Sequence, residues 1–412
     1  MYLMATHIPI YLDGGRTYIN DSWYSDLELG SRFFSRHFGP IALIGPSLPI
    51  ELADAMHMRE VGPDMPNLSL HPSIDARTRI RRFWPAAARQ WQADLAPLLR
   101  EASVVHASVD DPFRPMQLAA MRAALKANKP TVLIGFDMDI WDLLDDKLRQ
   151  MGRIEGKLHV ARTAGMEFWM RHCVRRASVA MLKEGLVYDR YAPMAKNPKE
   201  FCHSMHSEAD VVSEGELDER LTSLASGRPL RFAYFGRFVE RKGLADAIRV
   251  LAAARGRGVD ASYDLIGDGP QRHELETLAK ELGIAESVRF PGSFPYGVAL
   301  HERLRTYDAV LFTPTEEDTP RMVYDAFASG LPLITSDIAF LRRRADRDQA
   351  SVLFEIGAIE EGATRLVELN QDRERLVSLS RKAHEAGGRH SVERWYGQRL
   401  AWTVEAVERH GY

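Results

Sequence analysis

Glu317 and Asp325 flank a segment whose chemistry can be read from residue type and spacing. The apolar run Ala309 to Phe312 predicts a strand that stops at Pro314, and Thr315 to Thr319 is polar enough for a loop. Pro320 suits the first turn of a helix, Met322, Val323, Ala326 and Phe327 recur at helical spacing, and Gly330 suits the helix end. Leu331 to Thr335 predicts a second strand directly afterwards. Glu317 then falls in the loop before the helix and Asp325 in its second turn. That puts two carboxylates beside a helix N-terminus at the C-terminal edge of a parallel sheet. Carboxylates there accept hydrogen bonds from ligand hydroxyls while backbone amides face phosphate. The competing reading is plain: paired acids around a surface helix are commonly solvated or capping.

The elements upstream must position these groups. Arg231 to Phe235 reads as a strand that ends in Gly236-Arg-Phe-Val-Glu-Arg-Lys-Gly243, so Arg237 and Lys242 lie between a strand and the next helix. Ala261 to Ile266 followed by Gly267-Asp-Gly-Pro270 repeats strand and glycine turn, with a helix through Leu275 and Leu278. Ser287 to Gly292 is a strand before the loop Ser293 to Tyr296. By residue type alone, two cations at a strand end are ordinarily surface decoration, and a lone Gly-x-Gly is tight packing. The alternation predicts a doubly wound Rossmann-like domain.

Together these segments resemble the donor-sugar signature of retaining GT-B glycosyltransferases of family 4 (glycosyl transferases group 1). Its members carry a Glu, seven residues and a second Glu ahead of a small-residue run ending Gly-Leu-Pro. Glu317 matches the first acid and Ala326-Phe-Ala-Ser-Gly-Leu-Pro332 the run, while Asp325 replaces the second Glu and is one methylene shorter. Strand, Gly-Arg, a short gap and Lys-Gly match again at 231–243. The resemblance is strong from residue 229 to residue 340 and architectural before it.

The resemblance implies an α/β chain of two Rossmann-like doubly wound domains facing a cleft. Residues 1–212 form the acceptor side, 229–390 bind the nucleotide sugar, and the polar stretch Ser213 to Pro229 links them. Residues 391–412, with Trp395, Tyr396, Leu400 and Trp402 on one apolar face, cross back to the first domain. Arg237 and Lys242 would neutralise the departing nucleoside diphosphate, an electrostatic role that asks for no metal. Glu317 would hold sugar hydroxyls and Asp325 the ribose. Gly236, Gly267 and Gly269 would bring backbone near the nucleotide, and the loop of Ser293 and Phe294 would hold the base. No cofactor is expected beyond the donor substrate, a nucleoside-diphosphate sugar.

The first half offers less. His7 to Leu12 reads as the first strand, Asp13 to Arg16 as a tight turn and Trp23 to Phe34 as a helix. Gly14 and Gly15 are either a simple turn or, as the resemblance implies, a close approach to the donor diphosphate. Ile41 to Ile44, Ser103 to His106, Thr131 to Gly135 and Ala177 to Leu182 read as strands, with Asp110, Asp111 and Asp137 following two of them. The family commonly presents a His near one of these strand ends. Here Phe136 occupies that place and cannot move a proton, while on the other strand Ser108 takes the usual His position near His106.

Arg77, Arg79, Arg81 and Arg82 with Phe83, Trp84 and Trp91 form one basic stretch. Lys147, Arg149, Arg153, Lys157, Arg162, Arg171, Arg175 and Arg176 form another. Each is either a solvated helix face or a surface for an anionic membrane or phosphorylated lipid acceptor. Cys202, His203 and His206 have no second ligand cluster in the sequence, which argues against a metal site.

At 412 residues the chain exceeds one ordinary core, and 45% hydrophobic with 27% charged residues fits a globular protein. A net charge of -3 argues against general nucleic-acid binding. Two cysteines make no disulfide framework, and no apolar run reaches spanning length. The expectation is a cytoplasmic enzyme, peripheral at the inner membrane. It would move a hexose-type sugar from a UDP- or GDP-sugar to a glycan, lipid-linked or small-molecule acceptor, retaining the anomeric configuration. Its rivals are a nucleotide-sugar epimerase of the same fold and a silent subunit that only binds nucleotide sugar or glycan.

Overall fold

The computed structural model describes residues 1–52, 58–62, 64–78, 86–108, 115–135, 152–202 and 204–411. Arg79, Arg81, Arg82, Phe83, Trp84, Asp110, Asp111, Phe136, Asp137, Lys147, Arg149 and His203 lie outside the described residues. The chain divides into two compact units, 1–202 with 396–412, and 203–395. Among the described residues no helix is long and apolar enough to cross a membrane.

The first unit contains β1 (Tyr2–Ala5), β2 (Ile10–Asp13), β3 (Arg16–Asn20), β4 (Ile41–Pro49), β5 (Met58–Glu60), β6 (Leu68–Asp75), β7 (Val104–Ala107), β8 (Thr131–Gly135), β9 (Val179–Lys183) and β10 (Pro198–Phe201). Among the described residues β6-β4-β1-β7-β8-β9-β10 run parallel in that order, and β2 pairs parallel with the end of β4. Helices α1 (Asp21–Phe38), α2 (Ala88–Glu101), α3 (Met116–Lys126), α4 (Arg153–Arg176) and α5 (Leu186–Tyr191) complete the alternation. Trp91 and Leu95 of α2, Met121 of α3 and Val174 of α4 pack with Leu3, Val105, Leu133 and Leu182. Tyr24 and Leu27 of α1 pack instead with Ile19 and Leu43.

Two expectations are corrected here. The first strand is Tyr2–Ala5, between β4 and β7, and it precedes the apolar run at His7. That run becomes β2, which pairs antiparallel with β3 in the register Asp13↔Arg16. Gly14 and Gly15 are therefore the exposed tip of a two-residue hairpin, with φ of 51° and 90°. Positive φ at both central residues is what such a turn needs. A strand follows them, so the helix N-terminus that would have aimed amides at a diphosphate is missing at this point.

The second unit is a six-stranded parallel sheet of β11 (Leu230–Phe235), β12 (Ala261–Ile266), β13 (Val288–Gly292), β14 (Ala309–Phe312), β15 (Leu333–Ser336) and β16 (Ser351–Phe354). Its order is β13-β12-β11-β14-β15-β16, with every pair parallel. The order reverses between β11 and β14, the place where doubly wound sheets open to ligands beyond their strand ends. The strands are apolar and mostly buried, as fits helices on both faces. Those helices are α6 (Glu214–Ala225), α7 (Leu244–Gly256), α8 (Arg272–Glu281), α9 (Val298–Leu304), α10 (Met322–Ala328), α11 (Ala339–Asp348), α12 (Ile359–Gln371) and α13 (Arg373–Arg389). A last helix, α14 (Val392–His410), starts in this unit, and its residues from Tyr396 onward belong to the first.

The expected linker at Ser213 to Pro229 is largely helix α6. Ser213 and Glu216 form a reciprocal capping box, and Leu217, Leu221 and Leu224 are buried. Its polar composition thus records a helix start and a solvent face. Arg220 of α6 donates to the carbonyls of Ser329 and Gly330, which close α10 (2.8 Å each). Helices α12 and α13 part at Asp372, whose carboxylate caps α13 at the Arg375 amide (2.9 Å). Gly387 and Gly388 lie inside α13. A Cβ on Gly387 would stand 2.6 Å from the Ala328 backbone, so this glycine lets two helices touch.

Candidate functional site

Every site residue expected in the second unit, Asp325 apart, follows the C-terminal end of a strand in its sheet; Asp325 lies on the helix after β14. Gly236 donates to Ile266 O, Gly267 to Gly292 O and Phe238 to Asp268 O (2.9 Å each), which ties together the ends of β11, β12 and β13. The two turn glycines permit this stitching. A Cβ on Gly267 would overlap the Gly236 carbonyl, and one on Gly269 would lie 2.6 Å from Phe238 N. Gly236, Gly267 and Gly269 thus form a backbone shelf around Arg237.

The two cations have different surroundings. Arg237 is exposed and has no ion pair among the described residues. Lys242 closes a short 3₁₀ turn and is mostly buried, its side chain 12% exposed. Its ammonium pairs with Asp318 Oδ2, an oxygen that also takes the Arg241 guanidinium at 2.9 Å. Burial lowers the Lys242 pKa, with Asp318 opposing. Burial alone would raise the Asp318 carboxyl, but Lys242 and Arg241 hold it below its ordinary value. Further bonds lock the loop after β14 to the loop after β11: Thr315 N donates to Arg241 O (3.1 Å), and Thr313 Oγ1 donates to Gly243 O (2.5 Å).

Glu317 and Asp325 have separate partners. Glu317 is exposed, and its Oε1 accepts from the Ala339 amide at 2.6 Å, at the start of α11. Asp325 is 5% exposed and lies in the first turn of α10, not the second, because the helix opens at Met322 after Pro320. Its Oδ1 accepts from the Tyr296 hydroxyl at 2.9 Å. His301 Nε2, buried without a hydrogen-bond partner, stands 3.8 Å from the same oxygen. Burial pushes the Asp325 carboxyl up to about 7, against the opposing pull of Tyr296 and Arg321. Ser293 and Tyr296 are exposed and Phe294 half-buried in the loop after β13.

Asp318, Tyr296 and His301 were not singled out from the sequence. Asp318 carried one signal, its place directly after Glu317. Tyr296 carried another, as the end of the loop already expected at the base.

In the first unit, His106 is buried and shares a 3.0 Å hydrogen bond with the Tyr2 hydroxyl. Burial, with Arg399 adding to it, drops its pKa to about 3, which keeps it neutral. His206 Nε2 donates to Gly387 O at 2.9 Å. Among the described residues no group of three or more His, Cys, Asp or Glu is placed to hold a metal. On α4, Arg171 pairs with Glu167, while Arg175, Arg176 and Phe168 are exposed, Phe168 by 63%. Arg77 pairs with Asp75.

The architecture of two parallel-sheet α/β units is that of GT-B proteins. Anabaena HepE, solved in complex with UDP, superposes with a TM-score of 0.63 over 98% of this chain and 99% of its own, at 13% identity. Residues 218–386 match the family model described as Glycosyl transferases group 1. The lipopolysaccharide core biosynthesis glycosyltransferase LpsD of Rhizobium meliloti is 36% identical over 104 residues, 24% of this chain and 27% of LpsD. The putative glycosyltransferase EpsF of Bacillus subtilis is 26% identical over 174 residues, 42% of this chain and 40% of EpsF. The chain thus spans less than half the length of either relative.

Proposed function

We propose that the chain is a retaining glycosyltransferase that uses a UDP- or GDP-sugar, takes its donor on the second unit and its acceptor on the first. The observation that carries this reading is Lys242 and Arg237 at the end of β11, beside the point where the strand order reverses. The family match over residues 218–386 covers these groups together with Glu317 and Asp325. The name of LpsD, a lipopolysaccharide core biosynthesis glycosyltransferase, favours a glycan or lipid-linked acceptor for the transferred hexose. Exposed Arg175, Arg176 and Phe168 on α4 favour peripheral contact with an anionic membrane on the cytoplasmic side.

In this mechanism Arg237 and Lys242 take up the charge that develops on the departing diphosphate, which is the part a divalent metal plays in other donor sites. Each charge-assisted hydrogen bond is worth about 1.5–3 kcal/mol. Glu317 would leave the Ala339 amide to meet sugar hydroxyls, and Asp325 would exchange the Tyr296 hydroxyl for a ribose hydroxyl. The acceptor hydroxyl passes its proton to the leaving phosphate oxygen, so the first unit need supply no base. The test is release of free nucleoside diphosphate from a panel of UDP- and GDP-sugars, alongside a thermal-shift screen of the same panel. Stabilisation without release would favour the silent-subunit reading, and a product epimerised at the sugar would favour the epimerase. No response to any member would remove the donor assignment.

A further inference from the structure

Asp318 makes three contacts that converge at the reversal point of the second sheet. Its Oδ2 is shared by Lys242 from the β11 loop and by Arg241 at 2.9 Å, and its Oδ1 accepts the amide of its neighbour Thr319 at 2.9 Å. The carboxylate is mostly desolvated, 15% exposed, whereas Thr315, Glu316 and Glu317 just before it are exposed. A cation as enclosed as Lys242 is costly to leave without a counter-charge. Asp318 supplies that counter-charge from the same side chain on which the neighbouring loop is pinned. Of Arg237, Arg241 and Lys242, Arg237 is the one that is exposed and without an ion pair among the described residues, available for a first encounter with an anion.

We infer that Asp318 is the internal stand-in for the donor's diphosphate. It fills the Lys242 seat when no nucleotide is present and must be displaced when one binds. This rests on the reading of the second unit as a nucleotide-sugar site and goes beyond it, because it makes an acidic loop residue the competitor that sets donor affinity. A diphosphate brings several acceptor oxygens and can satisfy Lys242, Arg241 and Arg237 together, where one carboxylate oxygen serves two of them. Once displaced, Asp318 turns toward the solvent that its neighbours already face. Product release follows the reverse course, with the carboxylate returning to Lys242 as the nucleoside diphosphate leaves.

The test is calorimetric titration of the full chain with UDP and with GDP. Asp318→Asn keeps the side-chain shape and removes the competing charge, so it should bind the better of the two nucleotides about threefold to tenfold more tightly than wild type. Asp318→Ser, which still offers an acceptor to the Thr319 amide, should shift in the same direction. In the Lys242→Met background most of the gain should be lost, because the main competition is for that ammonium and only the Arg241 pair remains. Equal or weaker binding by the Asp318 variants, with wild type binding normally, would overturn the inference and leave the donor site standing. An undiminished gain without Lys242 would overturn it too, since Asp318 would then act only as a nearby negative charge. Failure of wild type and variants alike to bind either nucleotide would remove both the site and the inference.

Discussion

Asp325 carries the most informative single proton in the second unit. Its folded pKa of about 7 lies above the ordinary aspartate value of about 3.9, and burial is the main cause. A raised pKa means that the folded state holds the proton more tightly than the unfolded chain. The stability this contributes is full below about pH 4 and is lost as pH rises through about 7. Asp325→Asn is neutral throughout, so its melting temperature should gain on wild type between about pH 4 and about pH 7. The same variant should raise the donor Michaelis constant several-fold, because Asn cannot replace the ionised acceptor for a ribose hydroxyl. Asp325→Glu restores the residue common in the resembling family and should remain active. A melting-temperature difference that does not change with pH would place the proton elsewhere. An unchanged Michaelis constant would make Asp325 a packing residue.

At the scale of elements, loops at the strand ends set the geometry, and glycines decide how closely they approach. Gly267→Ala would drive a methyl into the Gly236 carbonyl and should cost about 2–4 kcal/mol, with weaker nucleotide binding as the Arg237 loop shifts. Gly15→Ala at the hairpin tip meets open space and pays only for its positive φ, about 1 kcal/mol, with nucleotide affinity unchanged. Denaturation midpoints with parallel titrations separate the two. The strands of the second unit were legible because each is an apolar run punctuated by glycine or proline. The hairpin was not, since Gly-Gly serves an antiparallel turn as well as a strand-to-helix loop, and nothing local says which. Helix α6 was hidden by its own capping box, and the close contact with α10 that requires Gly387 leaves no local mark in the sequence. Arg237, Lys242, Glu317 and Asp325 stood out through the resemblance to the family signature, since by residue type alone they read as surface groups. Their partners Asp318, Ala339 and Tyr296 come from other loops, and only the strand order brings those loops together.

For the whole molecule, the second sheet's edge is proposed as a charge-balanced seat, filled by Asp318 in the ligand-free protein and by a nucleoside diphosphate in the complex. Because protein cations supply the positive charge, donor turnover should survive removal of divalent metal by EDTA. A strict need for Mg²⁺ or Mn²⁺ would point to a different donor chemistry. The most direct measurement compares nucleoside-diphosphate release by wild type and by the Arg237→Ala/Lys242→Ala double variant, each shown to be folded. The donor is whichever UDP- or GDP-sugar wild type turns over. Loss of about 3–5 kcal/mol of transition-state stabilisation should slow release by about 10²–10⁴, with nucleoside diphosphate binding weakened in parallel. Wild-type release by the folded double variant would contradict the account.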